Sequence, residues 1–116
     1  MLLRVDPGAV VPLATQIAAQ VRGGIARGEL TEGERLPAAR TLAASLDVNL
    51  HTVLRAFAEL RDEGLLEVRR GRGAVVRAGS SSENARLAQL VHDVVEQAQR
   101  LGVGRDELAT MIKDTP

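Results

Sequence analysis

The stretch "LDVN", Leu46–Asn49, separates two predicted helices and decides how the chain folds. Asp47 follows the last apolar position of the first helix, and Asn49 is a residue type that strongly favours the N-cap of a following helix. Val48, between them, is apolar and is expected to fill the gap beneath the turn. Two helices joined by about three or four residues form a helix-turn-helix, so this stretch predicts that motif.

The helix that follows the turn has an apolar and a polar side. Before the turn, Leu42, Ala43 and Leu46 form the inner side of the preceding helix. After it, a rotation of about 100° per residue sorts the side chains into two groups. The apolar side consists of Leu50, Val53, Ala56, Phe57 and Leu60, and the opposite side carries His51, Arg55, Ala58 and Asp62, with Thr52 at its edge.

Further elements are predicted on both sides of this helix pair. Apolar residues at Leu13, Ile17, Val21 and Ile25 indicate an earlier helix, which Gly28 ends and which Gly23-Gly24 should weaken. The segment "LTEGERLP" then indicates a turn and a brief strand, and "LLEV" and "AVVRA" flank "RRGRG" as a two-stranded hairpin. The fold class is therefore mainly α with a small β part (α+β), and the architecture is a winged helix-turn-helix.

The composition changes after Ala78, where "GSSSEN" is typical of a linker, and Ser80 and Glu83 have the spacing of a helix capping box. We therefore divide the chain into a winged helix-turn-helix, residues 1–78, and a helical tail, residues 79–116. Two short helices cannot bury a long apolar stripe between themselves, so a second copy is the simplest partner. The predicted dimerisation residues are Leu87, Leu90, Val91, Val94, Val95, Ala98 and Leu101 on the first tail helix, and Leu108, Met111 and Ile112 on the second.

The overall composition excludes several classes of protein. The chain has 116 residues and no cysteine, so neither a disulfide framework nor a thiolate metal site is expected. No run approaches the roughly 18 apolar residues of a membrane span, and we expect a cytoplasmic protein. His51 and His92 lie in different modules without a third ligand at metal spacing. We therefore expect no metal, no cofactor and no catalytic residues.

The net charge is zero, with 15 basic and 15 acidic residues, but the charges are unevenly placed. Residues 1–78 hold 11 basic and 9 acidic groups, whereas residues 79–116 hold 4 and 6. Four arginines and no acid lie between Arg69 and Arg77. Because phosphate neutralisation depends on a local basic face, this hairpin indicates an anionic partner, the alternative being a solubilising loop tip.

Two surfaces are candidates for contacts with double-stranded DNA. The start of the third helix carries His51, Thr52 and Arg55, and the major groove admits one helix whose first residues reach the base edges. In the hairpin, Arg72 lies between two glycines and is suited to a narrow minor groove. The alternative for the helix is an ordinary solvated face. Arg40, early in the second helix, is expected either to contact phosphate or to pair with Glu34 or Asp47.

Several ordered blocks resemble the DNA-binding domain of GntR-type bacterial transcriptional regulators, over residues 12–76. The blocks are "G-x-L-x-x-G-x-R-L-P", "R-x-L-A", "V-N-x-x-T-V-x-R-A", "E-G-L" and "R-x-G-x-G". The short tail is similar to that of the YtrA subfamily, in which a helical tail mediates dimerisation. The resemblance implies DNA contacts at Arg40, Asn49, His51, Thr52, Arg55, Gly71 and Arg72. The charge of Arg69 and Arg70 adds an expected attraction to phosphate that does not depend on sequence.

The chain departs from the family pattern at a few positions. Ala38-Ala39 replaces the usual Ser-Glu after Leu-Pro, which removes a hydroxyl that would cap the second helix. Leu50, His51 and Leu54 stand where the subfamily often has proline, asparagine and glutamine, so the operator sequence is left open. The tail is too short to enclose a metabolite pocket of a few hundred Å³. We expect a homodimeric repressor of an inverted repeat, the alternative being a winged-helix module that binds another protein.

Overall fold

A computed structural model of the chain describes residues 3–69, 73–79 and 82–116. The predicted order of elements is confirmed, and so is the mainly helical winged helix-turn-helix. Across the described ranges, no helix combines the length and apolarity that a membrane crossing requires. The helices are α1 (Leu13–Ala26), α2 (Ala39–Leu46), α3 (Leu50–Asp62), α4 (Ser82–Arg100) and α5 (Arg105–Asp114), and the strands are β1 (Leu66–Arg69) and β2 (Gly73–Val76).

Helix α1 lies at the centre of the molecule and packs against α3 and α4. Its predicted apolar residues Ile17, Val21 and Ile25 are buried. The helix runs through Gly23-Gly24 without a break, because neighbours on two sides compensate for the low helix propensity of glycine. It ends at Ala26, just before Gly28, which adopts a left-handed conformation with φ of 76°.

The turn between α2 and α3 has the predicted geometry. Asp47 takes a left-handed conformation at the end of α2, with φ of 55° and ψ of 49°. The N–H of Val48 donates to the carbonyl of Ala43 at 3.0 Å, and the Val48 side chain packs against the core. The Asn49 side chain then accepts a hydrogen bond from the His51 N–H at 2.8 Å, so it caps α3 as expected.

The hairpin of β1 and β2 is antiparallel and has a third, shorter neighbour. Leu66 pairs with Val76 at one end and Arg69 with Gly73 at the other. The predicted brief strand in "LTEGERLP" is a single bridge, between Arg35 and Val75. The hairpin therefore rests on the segment that precedes α2, which fixes its position beside the helix-turn-helix.

The core lies between α1, α3 and the hairpin. Phe57 is the only aromatic residue of the sequence and is 3% exposed. Leu60, about one helical turn later, is fully buried. The segment before α1 closes one side of this core, since Leu3 and Val5 pack against it. The side chain of Gln20 binds the backbone of Arg4 in this segment, as donor and as acceptor.

Helix α4 packs on α1 of its own chain. Ala85 is fully buried and belongs to the same core cluster as α1 and α3, and Ala88 packs against it. The tail is therefore joined to the rest of the protein by more than a linker. The division of the chain at residue 78 stays a prediction, and Ser80 of the proposed capping box lies outside the described residues.

The missing cap of α2 gives a first prediction. Ala38 occupies the N-cap position with φ of −56° and ψ of 142°, and it provides no side-chain hydrogen bond. Ala38→Ser places a hydroxyl where it can accept from a first-turn N–H, and we expect the free energy of unfolding to rise by about 0.5–2 kcal/mol. Chemical denaturation measures this difference.

Ala44→Ser is the matched control, because Ala44 is exposed in the interior of the same helix. A serine there has lower helix propensity and no cap to form, so we expect a small loss of stability. Equal effects of the two substitutions would contradict the assignment of Ala38 as an uncapped helix start.

Candidate nucleic-acid interface

The outward side of α3 starts at a capped helix end. The first turn contains no acidic residue, and Asn49 is exposed while its side chain caps the helix. His51 and Arg55 are exposed, and Thr52 is half-buried. Over the part of the chain that the structure describes, Arg55 forms no ion pair. This end of α3 therefore offers a helix dipole and a cation without an internal partner, both suited to an anion.

Leu54 is a residue of this side that the sequence analysis did not assign to the interface. It follows His51 by three residues and precedes Arg55, so all three lie on one side of α3, and 42% of its surface is exposed. The sequence could have indicated this residue, because Leu54 is apolar but shares the side of α3 that carries His51 and Arg55. The thymine methyl group is the apolar feature of the major groove, so Leu54 adds a candidate contact of that kind.

The start of α2 is a second helix end that is suited to an anion. No side chain caps it, and its first turn contains no acid. Arg40 is exposed, and it pairs with neither of the two acids considered from the sequence. Glu34 instead accepts from the N–H of Thr31 at 3.2 Å. The two ion pairs considered for Arg40 are therefore not formed, and its contact with phosphate stays a prediction.

The hairpin carries one ion pair that the sequence analysis overlooked. Arg69 donates to Glu67 from Nε at 2.9 Å and from Nη2 at 2.6 Å, so an acid does neighbour the arginine-rich run. Both side chains are partly exposed, at 52% and 38%. Gly73 has a φ of 72°, as expected for a glycine of the loop. The other predicted contacts of this hairpin, Arg70, Gly71 and Arg72, lie outside the described residues.

The tail presents a large apolar surface to solvent. Seven of its ten predicted dimerisation residues are exposed, by 44–70% of their surface. The α4 members lie on the side of that helix that faces away from α1, because the side toward α1 is formed by Ala85, Ala88 and His92. We call this surface the tail face; it consists of Leu87, Leu90, Val91, Val94, Leu101, Met111 and Ile112.

The remaining three predicted dimerisation residues are placed differently. Ala98 is 7% exposed, and its carbonyl accepts from the N–H of Val103 at 2.8 Å, where the chain turns into α5. Val95 and Leu108 are half-buried. Ala98 is covered by its own chain, so it offers a partner little surface, and the sequence pattern alone could not distinguish it from the exposed residues of the stripe.

A polar cluster beneath the tail was not expected from the sequence. Arg22 of α1 is only 1% exposed. Its Nε and Nη2 each donate to a different carboxylate oxygen of Glu63 at 2.7 Å, and its Nη1 donates to Gln89 of α4 at 3.2 Å. His92 Nε2 lies 3.0 Å from Glu63, and Glu59 lies 3.6 Å from Arg22. We call Arg22, Glu59, Glu63, Gln89 and His92 the Arg22 cluster.

The cluster corrects one expectation about the histidines. His92 does meet two potential ligands, because its Nε2 and a carboxylate oxygen each of Glu59 and Glu63 lie within 4.8 Å of one another. However, both oxygens of Glu63 already accept from the guanidinium of Arg22. That positive group opposes a further cation at the same atoms, so we interpret the cluster as an ion-pair network.

The electrostatics of Glu63 follow from these contacts. Partial burial acts to raise the pKa of Glu63, but the hydrogen bonds and charge of Arg22, followed by those of His92, outweigh it and hold the pKa below its ordinary value of 4.5. The carboxylate form is therefore the one that the fold stabilises. A depressed pKa contributes stability that is complete above pH 4.5 and is lost as the pH falls through the lowered pKa.

Comparison with known proteins gives a consistent result. The family described as "Bacterial regulatory proteins, gntR family" matches residues 13–76. The HTH-type transcriptional repressor YtrA of Bacillus subtilis is 29% identical over 97% of this chain and 91% of its own length. A solved structure of YtrA from Sulfolobus acidocaldarius, a GntR-family transcription factor, is 34% identical with a TM-score of 0.61 over 94% of this chain and 91% of that one. The AraR DNA-binding domain, solved in complex with operator ORX1, shares the fold at 24% identity and a TM-score of 0.59, over 65% of this chain and 95% of that one.

The buried ion pair gives the second prediction. Glu63→Gln leaves Arg22 without its main counter-charge, and we expect a loss of roughly 3 kcal/mol in the free energy of unfolding at neutral pH. The wild-type protein loses the contribution of the carboxylate below about pH 4.5, so the difference between the two proteins should shrink in acid. Urea denaturation at a series of pH values between about 6 and 3 measures both effects.

The control for this experiment is Glu32→Gln, because Glu32 is an exposed glutamate. It should change the unfolding free energy by less than about 0.5 kcal/mol at neutral pH. A difference between Glu63→Gln and the wild type that stays constant across the whole pH range would contradict the assigned role of the carboxylate.

Proposed function

The chain belongs to the GntR family of bacterial regulatory proteins, and we propose that it represses transcription as a homodimer bound to an inverted-repeat DNA operator. The observation that carries the proposal is the outward side of α3, where Arg55 has no ion-pair partner among the described residues and no acid lies in the first turn. Repression in particular is supported by the name of the YtrA relative, which extends over nearly all of this chain. As a DNA-binding regulator, the protein would be located in the cytoplasm, where it would bind to the chromosome.

The contacts with DNA divide into two kinds. We assign base reading in the major groove to His51, Thr52, Leu54 and Arg55, because they occupy the first two turns of the second helix of the motif. Asn49 caps that helix and lies exposed beside them. The operator complex of the AraR domain, which has the same fold, supports this use of the motif. The sequence preference of this chain depends on its own side chains on that helix.

The phosphate contacts are assigned to Arg40 and to the hairpin. Arg69 must leave Glu67 to reach a phosphate, but an ion pair of this exposure contributes only about 0–1 kcal/mol, so the exchange costs little. Arg70, Gly71 and Arg72 stay predicted contacts on the basis of the sequence. These contacts supply affinity that does not depend on sequence and that falls with salt.

The dimer is assigned to the tail face. Large apolar side chains exposed along one side of a helix are typical of an interaction site, and a second copy of the same helix supplies a self-complementary partner. The segment before α1 is the alternative interface, but Leu3 and Val5 pack into the core of their own chain. A two-fold dimer presents two copies of α3, which suits half-sites about one helical turn apart or a multiple of it.

The third prediction concerns Arg55. Binding to duplexes from the region upstream of its own gene, measured by gel shift and footprinting at physiological salt, should reveal a palindromic site preferred over random DNA. Arg55→Ala should then weaken binding to that site by about 1–3 kcal/mol, with the loss concentrated at one base pair in each half-site.

Arg61→Ala is the matched control, since Arg61 is an exposed arginine near the far end of the same helix and pairs with Asp62. It should leave affinity nearly unchanged. Equal losses for the two variants would show that Arg55 acts only through its charge, and a wild-type protein indifferent to duplex DNA would favour the protein-binding module instead.

The fourth prediction concerns the tail face. Val94→Glu places a charge in the middle of the apolar surface, where burial against a partner would cost several kcal/mol. We expect the dimer to dissociate at concentrations where the wild-type protein remains dimeric, as measured by light scattering or analytical ultracentrifugation. The substitution is preferable to removing the tail, because Ala85 of α4 is part of the core.

Gln99→Glu is the control on the same helix, because Gln99 is exposed and lies on the side nearer α1. It adds the same charge away from the tail face and should leave the dimer intact. Dimers that persist in Val94→Glu would move the interface to another surface of the chain.

A further inference from the structure

Arg22 is a buried charge whose partners come from two other helices. Among the described residues, Arg22 is the only charged residue that is buried, with 1% of its surface exposed. Glu63, at the C-cap of α3, accepts from its Nε and Nη2, and Gln89 of α4 accepts from its Nη1. A buried guanidinium without acceptors is strongly unfavourable, so α3 and α4 must both keep these side chains in place.

Directional contacts define the position of α4 on α1 more closely than the apolar contacts do. The buried residue of α4 in the core cluster is Ala85, with Ala88 packed beside it, and such small side chains permit sliding and rotation at little cost. Hydrogen bonds tolerate errors of only a few tenths of an ångström. The hydrogen bond that Gln89 accepts from Arg22 and the contact between His92 and Glu63 therefore fix the register of α4.

The two helices linked in this way carry the two functional surfaces. Helix α3 carries the proposed DNA-reading residues on its first turns and Glu59 on its last turn, and Glu63 is the residue that caps its C-terminal end. Helix α4 carries the tail face on one side and His92 on the other. The orientation of α3 relative to the dimer axis is therefore transmitted through the Arg22 cluster.

We propose that Gln89 and His92, acting through Arg22 and Glu63, are positioning residues that set the spacing of the half-sites the dimer accepts. The inference rests on the proposed homodimer on an inverted repeat. Each added base pair rotates one half-site by about 34–36° and moves it by about 3.4 Å along the helix axis. A rigid joint between tail and recognition helix excludes such changes, whereas a loosened joint accommodates them.

The test uses the full chain and a set of duplexes in which two half-sites are separated by spacers that differ by single base pairs. The wild-type protein should prefer one spacing over its neighbours by about tenfold or more, which corresponds to about 1.4 kcal/mol. The double variant Gln89→Ala, His92→Ala removes both α4 partners and leaves the Arg22–Glu63 pair. We expect its preference to fall below about threefold, with dimerisation and affinity for a single half-site unchanged.

Two further variants separate positioning from general stability. Gln97→Ala with Gln99→Ala removes two exposed polar side chains of α4 and should keep the wild-type spacing profile. Replacing His92 with glutamine instead of alanine in the double variant (Gln89→Ala, His92→Gln) retains a donor for Glu63 and should restore most of the spacing preference. Should the double variant unfold, His92→Leu, which keeps most of the side-chain volume, takes its place under the same criterion.

The outcomes distinguish the inference from its premise. A double variant that is folded and dimeric and has the wild-type spacing profile overturns the positioning role while leaving the proposed function intact. A wild-type protein that binds paired half-sites no better than one half-site overturns the proposed dimeric function, and the positioning role with it. A general loss of affinity for every duplex, without a change in spacing preference, also overturns the positioning role.

Discussion

The arrangement of the helices depends on one buried charge, the guanidinium of Arg22 in α1. Removing such a group from water costs several kcal/mol, and only well-placed acceptors compensate for it. Glu63 supplies two of the hydrogen bonds and Gln89 supplies a third, from different helices. Because α1 lies between α3 and α4, the side chain that is least tolerant of displacement is also the one that both neighbours contact.

This constraint determines which side of α4 faces the protein. An amphipathic helix usually turns its apolar side toward the core. Here α4 turns Gln89 and His92 inward, beside the small Ala85 and Ala88, because Arg22 and Glu63 need polar partners there. The apolar residues of the tail face are consequently left outside. The polar contacts that join the tail to its own chain therefore leave the apolar tail face exposed.

The parts of the fold that could be predicted from the sequence depend on neighbours within a few residues. Asp47, Val48 and Asn49 define the turn locally, and the β-favouring runs on either side of the arginine-rich loop predict the hairpin. The Arg22 cluster could not be predicted in this way, because Glu63 is 41 residues from Arg22 and Gln89 is 67 residues from it. No periodicity connects such positions. Arg22 follows Val21, a core residue, and arginine is a residue type that usually lies at the surface.

The arginines of this neutral protein differ in whether they have an acidic partner, and it is the local placement of charge that decides where an anion can bind. Arg22, Arg27, Arg61, Arg69 and Arg100 each have an acidic partner, so much of the acidic charge is balanced within the chain. Arg40 and Arg55 have none among the described residues, and no acid lies in the first turn of α2 or α3. Of the paired group, Arg69 is exposed and can exchange Glu67 for a phosphate at little cost, whereas the buried Arg22 cannot leave Glu63. The difference in burial thus separates an arginine that holds the geometry from those available to an anionic partner.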